Sequence, residues 1–195
     1  MKTMSPPVPP QVAKRLFTFA EYHEMVRAGI LREADRLELV HGEILTMPPI
    51  GNEHGGCTDR LTRRLTSIPE RRAQVRIQGA VELAEHEEPR PDVSLLKHRA
   101  DYYSKRAPGP QDTLLAIEVS DTTLEFDRKP KMPLYASRGI PESWIVNIPE
   151  EVIEVYRKPS RRGYREKKVY RRGDSLSPLA FPDFSLRVDD VLGPK

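Results

Sequence analysis

Two apolar runs joined by a polar connection constrain this chain more than any other feature: "PDVSLL" at 91–96 and "TLLAIEV" at 113–119. Each reads as a strand, and each carries one carboxylate, Asp92 or Glu118. Burying an Asp or Glu without a partner is costly. If the runs pair antiparallel with Lys97 opposite Thr113, Asp92 falls directly across from Glu118, with Cβ atoms ~5 Å apart. In that register Asp92, Ser94 and Leu96 oppose Glu118, Ala116 and Leu114. Val93, Leu95, Leu115, Ile117 and Val119 fill the other face. Two like charges so close require a proton or a cation between them. Oxygen donors with few nitrogens or sulfurs nearby favour Mg²⁺, with Mn²⁺ as the alternative. Two solvated acids on a half-exposed sheet is the competing reading, and spacing alone leaves both open.

The flanking sequence predicts a mixed α/β chain. Thr18 and Glu21 form a capping box that opens a short helix. "RLELVHGEILTM" alternates on both sides of His41-Gly42, a hairpin signal ended by Pro48 and Pro49. A helix is expected from about Asn52, with Leu61, Leu65 and Ile68 on one stripe and Cys57 packed within it. "AQVRIQGAVEL" predicts one strand with Val75, Ile77, Val81 and Leu83 on one face and Arg76, Gln78 and Glu82 on the other. A helix within 128–138 leads to strands at "ESWIVNI" and "EVIEVYR", and basic strands follow from 157. This order predicts a sheet with a largely antiparallel meander flanked by helices.

Length and composition limit the alternatives. The 195 residues suffice for one sizeable core. The prediction is a disordered, proline-rich lead-in over 1–15 and a single domain over 16–195. With Cys57 as the only cysteine, neither an intrachain disulfide nor a cysteine metal cluster can form, which fits a cytoplasmic protein. No apolar run approaches the ~20 residues that span a bilayer, so no membrane partner is expected. A formal charge of +3 permits a nucleic-acid partner without requiring one.

Taken in order, Pro91-Asp92, Glu118-Val119-Ser120, Asp127…Lys131…Tyr135 and "RGIPESWIVN" resemble the Uma-type family of restriction endonucleases, in the PD-(D/E)XK nuclease superfamily. The likeness extends upstream to "RLELVHGEI", His54 and "VRIQGAVEL", and covers roughly 17–190. It implies a restriction-endonuclease-like fold and a metal-dependent endonuclease that hydrolyses DNA phosphodiester bonds. By that resemblance Asp92 and Glu118 are the metal-binding carboxylates. Many relatives in the superfamily carry a lysine two residues after the Glu, where this chain has Ser120. The resemblance maps that lysine onto Lys131, four residues before Tyr135 and hence on its helix face. Pro130 and Pro133 complicate the mapping, because a helix that starts late would turn Lys129 inward instead. Auxiliary positions are Gln78, Glu38, His54 and Tyr135, each with an ordinary structural role as the competing reading.

The segment "YRKPSRRGYREKKVYRRGD" interleaves basic residues with Tyr156, Tyr164 and Tyr170. Arg161, Arg162, Arg165, Lys167 and Lys168 are its candidate phosphate contacts, and the tyrosines its candidate base-stacking groups. Gly163 fits a hairpin turn, and a solvated hairpin is the alternative. Two further readings compete with the nuclease: a non-catalytic DNA-binding or regulatory protein on the same fold, and an enzyme for another phosphate-containing substrate. A homodimer would give DNA two sites for its two strands.

Overall fold

The computed structural model describes residues 13–194. The lead-in expected over 1–15 therefore lies, except for its last three residues, outside the described residues. Thr18 caps α1 (Phe19–Arg27): its hydroxyl accepts from the Glu21 N–H at 3.2 Å, and Glu21 accepts from the Thr18 N–H at 2.9 Å. β1 (Leu37–Val40) and β2 (Glu43–Thr46) form a hairpin. His41 and Gly42 turn it at φ +52° and +74°, the pair of positive values that a tight two-residue hairpin demands.

α2 (Asn52–Leu65) buries Cys57, Leu61 and Leu65 against one face of the main sheet. That sheet has six strands in the order β3 (Gln74–Ile77), β4 (Val93–Leu96), β5 (Thr113–Ser120), β6 (Glu142–Asn147), β7 (Val152–Ser160) and β8 (Gly163–Arg171). Neighbours pair antiparallel except β5 and β6, which run parallel. A parallel neighbour cannot be reached by a tight turn, so the chain must cross over the sheet between them. The crossover contains α3 (Leu124–Phe126), a π-helical segment (Asp127–Lys131) and α4 (Met132–Ser137).

The sheet thus has two cores. Val93, Leu95, Leu115, Ile117 and Val119 face α2 and the C-terminal α5 (Val188–Leu192), together with Trp144 and Val146. Ala116 and Ile145 face Leu134, Tyr135 and Ile140 of the crossover, with Val40 of the hairpin. A small two-stranded ribbon, β9 (Ser175–Leu176) with β10 (Leu186–Arg187), closes the C-terminal side.

The structure corrects three expectations. The strand over "AQVRIQGAVEL" is broken: β3 ends at Ile77, and Gln78 adopts φ +47°. Val75 packs on one core while Val81 and Leu83 enter the other, and Ile77 is half exposed. The β4–β5 register holds from Val93–Ile117 to Leu95–Leu115 but slips by one residue beyond, so Leu96 pairs with Thr113 and Lys97 N–H bonds to the Asp112 carbonyl. A bulge at the loop end absorbs that residue and leaves the Asp92 end in phase. Finally, the crossover helix begins at Leu124, earlier than 128. Proline lacks an N–H and crowds the carbonyl four residues back, and the wider π turn accommodates Pro130 without breaking the helix.

Candidate active site

Val93 pairs with Ile117, which puts Asp92 across from Glu118 at the end of the β4–β5 ladder. Both side chains line a cleft of about 210 Å³, bounded by β1, the loop before α2, and the crossover. Asp92 is held by two donors on one oxygen: Oδ2 accepts from the Val119 N–H at 2.8 Å and lies 3.1 Å from His54 Nε2. Its Oδ1 has no hydrogen-bond partner among the described residues. His54 comes from the first turn of α2, so the helix start fixes where the imidazole meets Asp92. Burial alone would lower the His54 pKa, but the Asp92 carboxylate outweighs it and raises it.

Glu118 is buried beneath the crossover. Lys131 Nζ stands 3.2 Å from Glu118 Oε2, 3.0 Å from Glu38 Oε2 and 3.8 Å from Asp127 Oδ1. The Tyr135 hydroxyl donates to Glu118 Oε1. Lys131 and Tyr135 are four residues apart on one helix face, so one turn delivers both donors to one carboxylate. The Lys131 side chain is 4% exposed, whereas Lys129 is 79% exposed and pairs with Glu125 at 2.8 Å. The π segment therefore sends Lys131 inward and Lys129 to solvent.

Electrostatics follow from this crowding. Burial drives the Glu118 carboxyl well above the usual range; Lys131 opposes that shift, while Asp127, Asp92 and Glu38 reinforce it. Glu38 and Asp127 are raised for the same primary reason, again opposed by Lys131. Burial alone would lower the Lys131 pKa, but Glu118, Glu38 and Asp127 overcome it and raise it. Burial and the Glu118 charge push the Tyr135 hydroxyl far up, so it stays a donor. Of the cleft's charged groups, five are acids (Glu38, Asp92, Glu118, Asp121 and Asp127) and three are permanent cations (Arg36, Arg90 and Lys131). That excess of negative charge is the local setting in which a divalent cation is most strongly drawn.

Among the described residues no three His, Cys, Asp or Glu side chains form a ready-made metal cage. Mg²⁺ does not need one, since it commonly takes one or two carboxylates and fills its other positions with water and phosphate. Asp92, with an oxygen free, and Glu118, each of whose oxygens has lone pairs to spare, fit that sparser donor set.

Of the positions expected from sequence, Asp92, Glu118, Lys131, Glu38, His54 and Gln78 all line the cleft. Tyr135 reaches it through Glu118. Gln78 stands at a strand end instead of on a strand face, its N–H bonded to the Asp92 carbonyl at 3.0 Å. Asp127 went unpredicted as a site residue, although its spacing to Lys131 is a helix-pairing signal. It is tied down by the hydroxyls of Ser120 and Thr123, each at 2.7 Å. Arg36 and Arg90 were also missed, although Arg36 opens "RLELVHGEI" and Arg90 stands beside Pro91-Asp92.

The basic hairpin does not join this cleft. Glu118 aligns with Ile145 and, through it, with Glu154. The tip beyond Ser160 lies six residues further along β7, about 20 Å, at the opposite end of the sheet. Arg161, Arg162, Arg165 and Lys168 are exposed there or along β8, but Lys167 pairs with Glu154 at 2.8 Å. The three tyrosines, the candidate base-stacking groups, are half-buried and have contacts within the fold. The Tyr156 hydroxyl binds Glu154, and the Tyr164 hydroxyl binds Ser143 and the Ile140 carbonyl. Tyr170 packs on the α2-side core.

Comparison with known proteins gives the same frame. The Uma2 family model, described as "Putative restriction endonuclease", matches residues 19–189. The crystal structure of a putative nuclease belonging to DUF820 from Anabaena variabilis ATCC 29413 superposes with a TM-score of 0.69 at 16% identity. That alignment covers 90% of this chain and 97% of the other. At such identity it speaks for the fold alone, a mixed sheet flanked by helices. No curated protein matches the chain.

Proposed function

This chain belongs to the Uma2 family of restriction-endonuclease-like proteins, and from that premise we propose that it is a metal-dependent endonuclease acting on DNA. One observation carries the reading: a buried lysine bridges Glu118, Glu38 and Asp127 beside Asp92, at the floor of an open cleft. Burying several charges together costs several kcal/mol per ion before pairing offsets it. A mere binding scaffold gains little from facing carboxylates, whereas phosphodiester hydrolysis has a use for them.

In this reading Asp92 and Glu118 hold Mg²⁺, with Mn²⁺ as the alternative ion. When bound, the ion acidifies a water and offsets the charge that develops on the phosphate. The chain's own residues do the rest. His54 and the Val119 N–H fix Asp92 with its free oxygen toward the cleft. Tyr135 fixes Glu118, so neither carboxylate must reorganise as charge builds. Lys131 presents a permanent cation next to the reacting phosphate, and Asp127, anchored by Ser120 and Thr123, holds its ammonium in place. A homodimer would set two such clefts against the two strands of a duplex.

The test is cleavage of supercoiled plasmid and of single-stranded DNA, with Mg²⁺, with Mn²⁺ and with EDTA. The expected result is metal-dependent cutting that Asp92→Asn and Glu118→Gln each reduce on the order of 10²-fold or more. Cutting that persists in EDTA, or is unchanged by Glu118→Gln, overturns the proposal. DNA binding with no cutting under any metal would favour the non-catalytic alternative.

A further inference from the structure

Tyr103 gathers three arginines around a single ring. Its centroid lies 5.5 Å from the Arg76 guanidinium carbon, 5.2 Å from that of Arg99 and 5.4 Å from that of Arg106. The ring cannot drift: Tyr103 is buried at φ +60°, and its hydroxyl donates to the Lys97 carbonyl at 2.7 Å. Two of the three cations are neutralised locally. Arg99 makes two 2.8 Å bonds to Asp101, and Arg106 makes bonds of 2.6 and 2.9 Å to Asp112. Arg76 meets no carboxylate among the described residues, and it donates only to the Tyr102 carbonyl at 3.0 Å.

Its place in the sheet gives that free charge a purpose. Arg76 lies across from Ser94 on β3, so it shares the sheet face that carries Asp92. It stands two residues before Gln78, about 7 Å from the cleft wall. The stem lies over Gly79, where an added Cβ would come within 2.3 Å of Arg76 Cδ. A side chain at 79 would push the guanidinium away, so glycine there keeps it in position. Lys97 and Lys105, both exposed, extend the positive surface.

We infer that Arg76, seated on the Tyr103 platform, binds a backbone phosphate of the nucleic-acid strand where that strand leaves the cleft. The inference rests on the nuclease reading and adds to it the path of the substrate. A guanidinium held within cation–π range of an aromatic ring, with no carboxylate partner, keeps N–H groups for the two oxygens of a phosphate. An anion at that point also gives Arg76 the partner that Asp101 and Asp112 give Arg99 and Arg106.

The test is fluorescence anisotropy of a labelled strand of about ten nucleotides, and of its duplex, in EDTA between 50 and 200 mM salt. Arg76→Ala should weaken binding about tenfold and lower the slope of log affinity against log salt by about one. Arg76→Lys should restore the slope but not the full affinity, since an ammonium is no planar fork. Lys105→Glu, at an exposed site where folding is not at risk, should weaken binding in the same direction. Arg187→Ala, on the α5 side of the sheet, removes the same charge and should change nothing. Wild-type affinity and slope in Arg76→Ala would overturn the inference whatever Lys105→Glu does, as would a wild type that binds neither probe. Cleavage assays run alongside separate it from the nuclease reading. A protein that binds through Arg76 but never cuts loses only the nuclease reading, and one that cuts with Arg76-independent binding loses only this inference.

Discussion

Lys131 concentrates the site's chemistry in one side chain. Because it pairs with three buried carboxylates at once, removing it has two separable consequences. Stability should fall, since stripping one partner from a buried charge pair costs about 3–5 kcal/mol. Cleavage at saturating Mg²⁺ should fall on the order of 10²–10³ for the folded fraction, with DNA binding nearly intact. Lys129→Ala removes the same charge from solvent and should leave both unchanged. Loss of cleavage in Lys129→Ala but not in Lys131→Ala would reverse the assignment. The pH dependence has a definite sign. Burial, opposed by Lys131, lifts the Glu118, Glu38 and Asp127 carboxyls, so the folded state binds protons more readily than the unfolded chain. Their contribution to stability is whole below the ordinary carboxylate range and is lost as pH rises through the lifted values. Without the opposing ammonium they lift further. In EDTA, the Tm of Lys131→Met should therefore fall more between pH 5 and pH 8 than that of the wild type. Parallel Tm curves would show that Lys131 does not control these acids.

At the scale of the element, the π segment is held from both sides. Lys131 points down to Glu118, while Arg128 of the same turn reaches out to Glu154 on β7 and to Glu150. The crossover is thus clamped between the strand bearing Glu118 and a strand two places away. Burial alone would raise the Glu154 carboxyl, but hydrogen bonds from Arg128, Lys167 and Tyr156 bring it down to about 2. A depressed carboxyl stabilises the fold above its unfolded value and loses that contribution as pH falls toward 2. Glu154→Gln should therefore be less stable than wild type at pH 7, by about 1–3 kcal/mol. The difference should shrink steadily below about pH 4.5. Urea unfolding of the two proteins at pH 7 and pH 3 checks this, and a gap that stays constant would mean that the charge on Glu154 contributes nothing.

Across the whole molecule, the cleft and the basic hairpin occupy opposite ends of one sheet, which separates their effects on DNA by length. A strand of about three nucleotides, roughly 10 Å at 3.4 Å per step, sits over the cleft without spanning the distance to the tip. Neutralising Arg161, Arg162 and Arg165 together should leave its affinity unchanged, yet flatten the salt dependence measured with a long duplex. The same loss for both lengths would mean that the hairpin folds toward the cleft. No helix among the described residues is long and apolar enough to cross a membrane.

The sequence by itself determined most of the strands of the main sheet, the α1 capping box and the His41-Gly42 turn, and it offered the facing of Asp92 and Glu118 as one register that the structure bears out at that end. Each of these is fixed by residues close in the chain or by an alternating pattern that tolerates only one register at the buried end. It could not determine where the crossover begins, because Pro130 argues against a helix, and only packing against Ala116 and Ile145 reveals the wider turn that admits it. It could not see the break at Gln78, where alternation continues on paper while the backbone turns to a positive φ. Nor could it foresee that Glu38 and Lys131, 93 residues apart, share one ammonium contact. It could not foresee that Tyr156 and Tyr164 spend their hydroxyls on the fold. Those outcomes belong to the tertiary structure, because a buried charge or hydroxyl takes its partner from whatever element packing brings within about 3 Å of it.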